Sequence, residues 1–385
     1  MKLGKLCILF TDGDWIESKD QSDSGIRLIQ TGNIGNGEFL YKNDKAKYIS
    51  VDTFKRLNCK EVFPNDILVS RLPEPVGRGC IIPDIGEKMI TAVDCTICRI
   101  NENLVDRKYF CYFLESNAYK TQLEQHVTGT TRKRISRKNL SSVEIDIPEQ
   151  AKQKEVVYKL DRLKKIIQNY NRELDLLDEL VRARFVEMFG DPVINSCQFP
   201  VQPMTDICDI IDGDRGKNYP KSEEILDDGY CLFLNAKNVT QKGFDFENCN
   251  FITREKDDAL RNGKLSRGDV VLTTRGTVGN LAYYSKNVPY ENIRINSGMV
   301  ILRMNRSILN EIYFIELFKM KLSDIKEKIA SGSAQPQLPI STMNKIILMI
   351  PPLELQNQFA SFVQEIDKSR LLSNHSLFLI KSLIF

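Results

Sequence analysis

The stretch Ile147–Asp191 reads IPEQAKQKEVVYKLDRLKKIIQNYNRELDLLDELVRARFVEMFGD, and its apolar residues recur in alternating steps of four and three. Val156, Leu160, Leu163, Ile167, Tyr170, Leu174, Leu177, Val181 and Met188 form the series, with Arg184 as its one break. A 3.5-residue period is that of a coiled-coil seam, narrower than the stripe of an ordinary globular helix. Pro148 suits the entry, since its ring is tolerated before a helix or in its first turn but not further in. Gly190 with Pro192 close behind suits the exit. Roughly 40 residues rising about 1.5 Å each make a rod about 60 Å long. Lying near mid-chain, it reads as a spacer.

Working outward, residues 129–163 align without gaps against 332–366 at an offset of 203. Gly129 meets Gly332, Ile135 meets Leu338, Leu140 meets Met343, Pro148 meets Pro351, Gln153 meets Gln356, and Leu160 meets Val363. Upstream, with small gaps, PNDILVSR (64–71) matches RGDVVLTT (267–274), YFCYFL (109–114) matches YFIELF (313–318), and Asp12-Gly13-Asp14 recurs as Asp212-Gly213-Asp214. A period near 200 residues is a duplicated domain, since solenoid units run about 20–50. Each copy holds short apolar strands (RLIQTGNI, DILVSR, TICRI, VEIDI; CLFLNAKNV, DVVLTT, GMVILRM, KIILMI). One helix follows, near Asp106–Gln125 or Leu309–Ala330. No regular βαβ alternation shows, so the sheets are expected to be mostly antiparallel.

The fold class is therefore α+β: two α/β-type globular domains, mostly antiparallel in sheet, duplicated and separated by two long antiparallel coiled-coil helices. The expected divisions are 1–146, 147–191, 192–349 and 350–385. The second helix carries Phe359, Val363, Ile366, Leu377 and Ile380 at the same spacing, with Arg370 and Ser373 as weak seam positions. The first helix delivers the chain to the second domain and the second leaves it. Facing seams therefore require the second helix to run back antiparallel. It reaches only Phe385, short of a counterpart to Met188-Phe189-Gly190-Asp191-Pro192.

Two similar domains, each followed by Ile-Pro-x-x-x-x-Gln and a long helix, resemble the specificity subunit of type I restriction-modification enzymes. IPEQAKQKEVVYKL, IPPLELQNQFASFV, ELVRARFVEMFGDP, GSAQPQLPIS and GDVVLTTRGTVGN carry the resemblance, which covers essentially the whole chain. It implies a non-catalytic DNA reader in which each target-recognition domain reads one half of a split DNA sequence. The helices would fix the spacer and dock two modification (adenine methyltransferase) subunits, to which restriction subunits bind. S-adenosylmethionine, ATP and magnesium would be held by those partners and no cofactor by this chain.

Composition agrees with a soluble, cytoplasmic protein: 42% hydrophobic, 27% charged, and no run of 18 apolar residues. A net charge of +3 requires any nucleic-acid surface to be local. Ten scattered cysteines without framework spacing suggest buried thiols in a reducing compartment. Cys95-x-x-Cys98 lacks two further ligands for zinc, so no metal is expected. Chemistry finds little support. The sole Pro-Pro, Pro351-Pro352, is not a methyltransferase motif, GDRGKN (213–218) lacks phosphate-loop spacing, and only two histidines occur. The alternative is a free-standing two-domain nuclease or DNA-processing enzyme using Asp84, Asp106 and Lys108. A coiled-coil scaffold without nucleic acid is the blandest reading.

DNA binding asks for cations at phosphates and polar side chains at base edges. Arg132, Lys133, Arg134, Arg137 and Lys138 form the clearest basic cluster, and the aligned loop offers Gln335 and Gln337. Arg71 and Arg78 flank one strand-ending turn, and Arg275 and Asn280 its counterpart. Arg215, Lys217 and Tyr219 lie in another glycine-containing loop. Loops on a rigid scaffold are where such contacts concentrate.

Overall fold

The computed structural model describes residues 1–129, 132–330 and 337–384, with side chains placed at all of these except 323–330 and 381–384. Contacts divide the chain into two compact units, Met1–Tyr170 with Ser376–Phe385, and Asn171–His375. Both dividing lines fall inside the long helices, Gln150–Phe189 and Leu353–Ile384.

In the first unit an antiparallel sheet runs in the order Cys7–Asp12, Cys95–Ile100, Ile67–Ser70, Gly79–Ile81. A second sheet places Ile26–Ile29 parallel to Met89–Thr91. The second unit repeats this plan. Cys208–Asp212, Met299–Met304, Val270–Thr273 and Leu281–Tyr283 form its antiparallel sheet, and Cys231–Leu234 runs parallel to Ile293–Ile295. The expectation of mostly antiparallel sheets holds, with one parallel pair per unit. VEIDI, read as a strand, instead makes an isolated bridge, Lys2 to Glu144, whereas its counterpart Ile347–Met349 pairs fully with Val201–Pro203.

Alternation along the central strand decides the fate of the C-x-x-C. Residues three apart on a strand face opposite sides. Cys95 packs with Ile97, Cys80 and Met89, while Cys98 packs with Ile67, Ile100 and Phe110. Both thiols are free and fully buried. Burial pushes the Cys95 thiol up to about 12. They are core residues.

The same polar joints recur in both units. Asp66 takes Arg99 in a two-pronged pair, 2.8 Å on each arm, and Asp269 takes Arg303 at 2.9 and 2.8 Å. Buried Gln153 accepts from the Asp106 amide (2.7 Å) and donates to the carbonyls of Pro148 (2.8 Å) and Leu104 (3.3 Å). Buried Gln356 does the same with Asn310 (2.9 Å), Pro351 (2.8 Å) and Ile308 (3.1 Å). In each unit this glutamine locks the start of the long helix to the loop before the preceding helix. That preceding helix, expected over Asp106–Gln125, is broken. Ser116 ends Arg107–Glu115 and caps Asn117–Glu124 through the Tyr119 amide.

Within the second unit the two long helices run antiparallel. Phe185 and Phe189 meet Phe359 at ring separations of 5.4 and 5.6 Å, Arg184 lies over Phe362, Asp178 pairs with Arg370, and Glu173 accepts from Ser373. Arg370 and Ser373, the weak seam positions, carry the seam onward with polar contacts. Over its last two turns the first helix departs from the 3.5-residue period. Val181, Phe185 and Phe189 are buried, and Met188 is only partly so. There the helix enters a globular core with Tyr313 and Phe314, where a wider stripe replaces a two-helix seam. In the first unit, Asp161 and Lys164 turn toward the helix Arg107–Glu115, pairing with Lys108 (2.6 Å) and Glu115 (2.7 Å).

Candidate nucleic-acid interface

The turn leaving strand Ile67–Ser70 is held from within. Arg78 donates through Nε to the Ile34 carbonyl (2.7 Å), through Nη1 to those of Pro73 (2.8 Å) and Pro75 (2.9 Å), and through Nη2 to that of Thr31 (2.9 Å). Burial draws its guanidinium below the ordinary arginine range. Arg71 donates to Ile135 (3.2 Å) and Val93 (2.7 Å), with Nε 3.2 Å from the Asp12 carboxylate. These two arginines, expected to face DNA, are engaged by the scaffold, and reading a base would require them to release six backbone carbonyls, four of them partly buried. Asn280 stands where Arg78 stands. Thr273 donates to its carbonyl at 3.0 Å, as Ser70 does to that of Arg78 at 2.8 Å, and its Nδ2 reaches the Val239 carbonyl at 2.9 Å.

Beside the first turn, Thr128 and Arg134 exchange backbone hydrogen bonds of 2.9 Å around Gly129, whose φ of +98° an L side chain rarely adopts. The Ile135 amide donates to the Arg71 carbonyl at 3.1 Å and seats this basic loop against the turn. Ser136 then caps the helix Arg137–Ser142. Arg132, Arg134 and Lys138 are exposed, with no side-chain partner among the described residues. Lys133 pairs with Glu74 (2.7 Å), and Arg137 lies 3.9 Å from Asp12. The structure thus gathers all five cations at one corner.

The corresponding corner of the second unit is less charged. Arg275 bridges to Gln337 through the backbone, and both side chains are exposed. Gln335 lies outside the described residues. Arg215 reaches Asp212 (3.0 Å) and the Ser297 carbonyl (3.3 Å), and Lys217 is exposed. Tyr219 does not join them. It packs edge-on against Phe233 at 5.7 Å beside Ile225, so its ring is part of a small core.

The recurring Asp-Gly-Asp builds both corners, a role its residues did not announce. A Cβ on Gly13 or Gly213 would come within 2.3 Å of a facing carbonyl, that of Thr91 or Asn296. Asp14 accepts from the Lys60 amide (2.6 Å), and Asp214 from the amides of Arg261 and Gly216 (2.8 Å each). Those two amides hold the Asp214 carboxyl far below the usual range. The first aspartate receives a guanidinium that also donates to a strand-leading carbonyl. Arg71 does this at Asp12 and Val93, and Arg215 at Asp212 and Ser297. One seat is filled from two different places in the chain.

The residues proposed for cleavage do not converge. Asp84 is exposed and accepts from the Gly86 amide, Asp106 caps its helix through the Tyr109 amide, and Lys108 is paired with Asp161. Among the described residues, no helix is long and apolar enough to cross a membrane.

Two α+β units of one topology, each with a cation-bearing corner of turn and loop and each continued by a long helix, define a duplicated specificity-domain protein. The chain belongs to the type I restriction modification DNA specificity domain family, whose sequence pattern matches residues 1–178 and 199–380. It is 22% identical over 383 residues to the type I restriction enzyme MjaIX specificity subunit of Methanocaldococcus jannaschii, covering 95% of this chain and 85% of that protein. It is 20% identical to the putative MjaX specificity subunit of the same organism, covering 90% and 78%. The fold is similar to that of the S subunit from M. genitalium, with a TM-score of 0.52, 16% identity, and 100% and 93% coverage. A chain from a structure on complex assembly of the type I R-M system gives a TM-score of 0.55, with 14% identity, and 100% and 94% coverage. Specificity subunits are the non-catalytic members of these systems, and the free-standing nuclease reading finds no support.

Proposed function

We propose that each unit reads one half of a split DNA sequence, through the corner where the Asp-Gly-Asp loop, the strand-ending turn and the segment before the short helix meet. The observation that carries this reading is the duplication itself. One scaffold, with the same glutamine and aspartate–arginine joints in both copies, bears different exposed side chains: Arg132, Arg134 and Lys138 in one, Arg275, Lys217 and Gln337 in the other. Such a frame suits two different half-sites. Half-sites one helical turn apart lie about 34 Å from centre to centre, which a helix of 40 residues can span. The long helices set the spacer and dock two adenine methyltransferase subunits. Leu176, Leu180, Leu371 and Leu372 stand exposed on those helices and suit such partners. Restriction subunits join through the methyltransferases, which bring S-adenosylmethionine; ATP and magnesium serve the restriction subunits.

Co-expression with the modification subunit should produce adenine methylation at one split motif, mapped across the genome. Methylation at a contiguous motif, or by the chain alone, would overturn the reading.

A further inference from the structure

The two corners differ at one position in a way that opens a notch in the second unit. In the first unit Arg78 fills the space between the strand-ending turn and the 31–34 turn, spending its guanidinium on four carbonyls. Asn280, its counterpart, reaches one carbonyl, that of Val239. The joint persists but the filling is gone. What remains is a concave, solvent-open surface lined by Lys237, Thr240, Gln241, Thr277, Val278 and Asn280.

Its walls are fixed. Asn238 is buried and holds the 235–248 segment by donating to the carbonyls of Asp245 (3.0 Å) and Asn248 (2.9 Å), and Val239–Thr240 pairs with Gly243–Phe244. On the other side, Thr273 binds the Thr277 carbonyl and receives the Asn280 amide at 2.9 Å. On this frame the amide of Gln241, the hydroxyl of Thr277 and the ammonium of Lys237 are exposed and have no side-chain partner among the described residues. A glutamine amide offers one donor and one acceptor side by side, the pair that matches the N7 and N6 edge of adenine. Lys237 supplies positive charge at the rim.

We propose that this notch is a base-reading subsite of the second unit, with Gln241 the specificity-determining side chain, Thr277 an assisting contact and Lys237 a phosphate contact. The proposal rests on the reading of each unit as the reader of one half-site. It assigns the first unit no such subsite, because Arg78 occupies the space.

The test uses the complete complex with its modification subunit. Methylated motifs are mapped for the wild type, Gln241→Ala and Asn280→Arg, and the purified complexes are titrated with duplexes altered one base pair at a time. Gln241→Ala, an exposed change, should cut discrimination at one or two positions of one half-motif by about five- to 150-fold. The other half should stay intact. Asn280→Arg, which refills the notch, should weaken recognition of that same half. If the wild type methylates a split motif and Gln241→Ala leaves every position unchanged, the notch is not a reader. If the wild type has no split motif, the half-site reading falls, and the subsite with it.

Discussion

Arg370 on the second long helix reaches across to Asp178 on the first, at a position where the apolar rhythm calls for leucine or isoleucine. Four residues before it is Ile366, and three after it is Ser373, itself bound to Glu173. A polar pair in a seam costs stability and selects one register. Arg370→Leu should therefore raise the melting temperature of the chain or leave it unchanged, while widening the range of DNA spacers methylated. Asp178 is well exposed, so breaking the pair with Asp178→Ala should cost no more than about 1 kcal/mol. Chemical denaturation and motif mapping check the two effects separately.

Gln153→Ala and Gln356→Ala should be far more damaging. Each removes the partner of three backbone groups at a helix entry, and a buried group left unpaired costs about 1–3 kcal/mol. A loss of about 3 kcal/mol or more, read from urea midpoints, is the expected result for either. A loss under about 1 kcal/mol would mean that water replaces the amide freely.

Two sets of cationic side chains should separate cleanly. Arg132→Ala, Arg134→Ala and Lys138→Ala should keep the protein stable but weaken DNA binding. The slope of log affinity against log salt should fall by about one for each phosphate contact removed. Arg71→Ala and Arg78→Ala should instead lower the melting temperature, because the carbonyls that hold the turn, most of them partly buried, lose their donors. A salt slope altered by Arg78→Ala at unchanged stability would contradict this division.

Asp214 supplies an acid-sensitive joint. Its folded-state pKa lies below the unfolded value, so its contribution is present above about pH 4 and is lost as pH falls through the folded value. Thermal denaturation between pH 5 and 2 should show a steeper decline for the wild type than for Asp214→Asn, which starts less stable.

The thiols give a simple chemical check. Burial pushes Cys80, Cys208 and Cys231 up to about 12 and Cys111 to about 11, whereas Cys197 is exposed. Alkylation at pH 8 should label Cys197 first, with Cys80, Cys95 and Cys98 protected until unfolding.

The long helices and the duplication were legible because each is a periodic property of the residues themselves, and the prevailing strand direction because the order of strands and helices shows no βαβ alternation. The end of the first helix was not. Val181, Phe185 and Phe189 follow a four-residue step, which becomes decisive only once Tyr313 and Phe359 are known to await them. The division among the candidate cations was hidden for a related reason. Arg78 and Arg132 look alike in a string of letters, and only long-range carbonyls distinguish them, such as Thr31, 47 residues from Arg78. Tyr219 fell on the wrong side for want of Phe233. The half of the site that remained legible was its solvent-facing half.

The guanidinium seat on the first aspartate of each Asp-Gly-Asp bears on how these domains can be exchanged. In one copy the arginine comes with the strand-ending turn, and in the other with the aspartate's own loop. A graft of the 274–280 turn into the first unit would remove Arg71 from Asp12 and leave it the more distant Arg137, at 3.9 Å. The reverse graft would bring a second arginine to Asp212, where Arg215 already sits. Transplanted specificity loops therefore travel as pairs, turn together with Asp-Gly-Asp loop, and a chimaera that divides the pair leaves one corner an arginine short or the other with one too many.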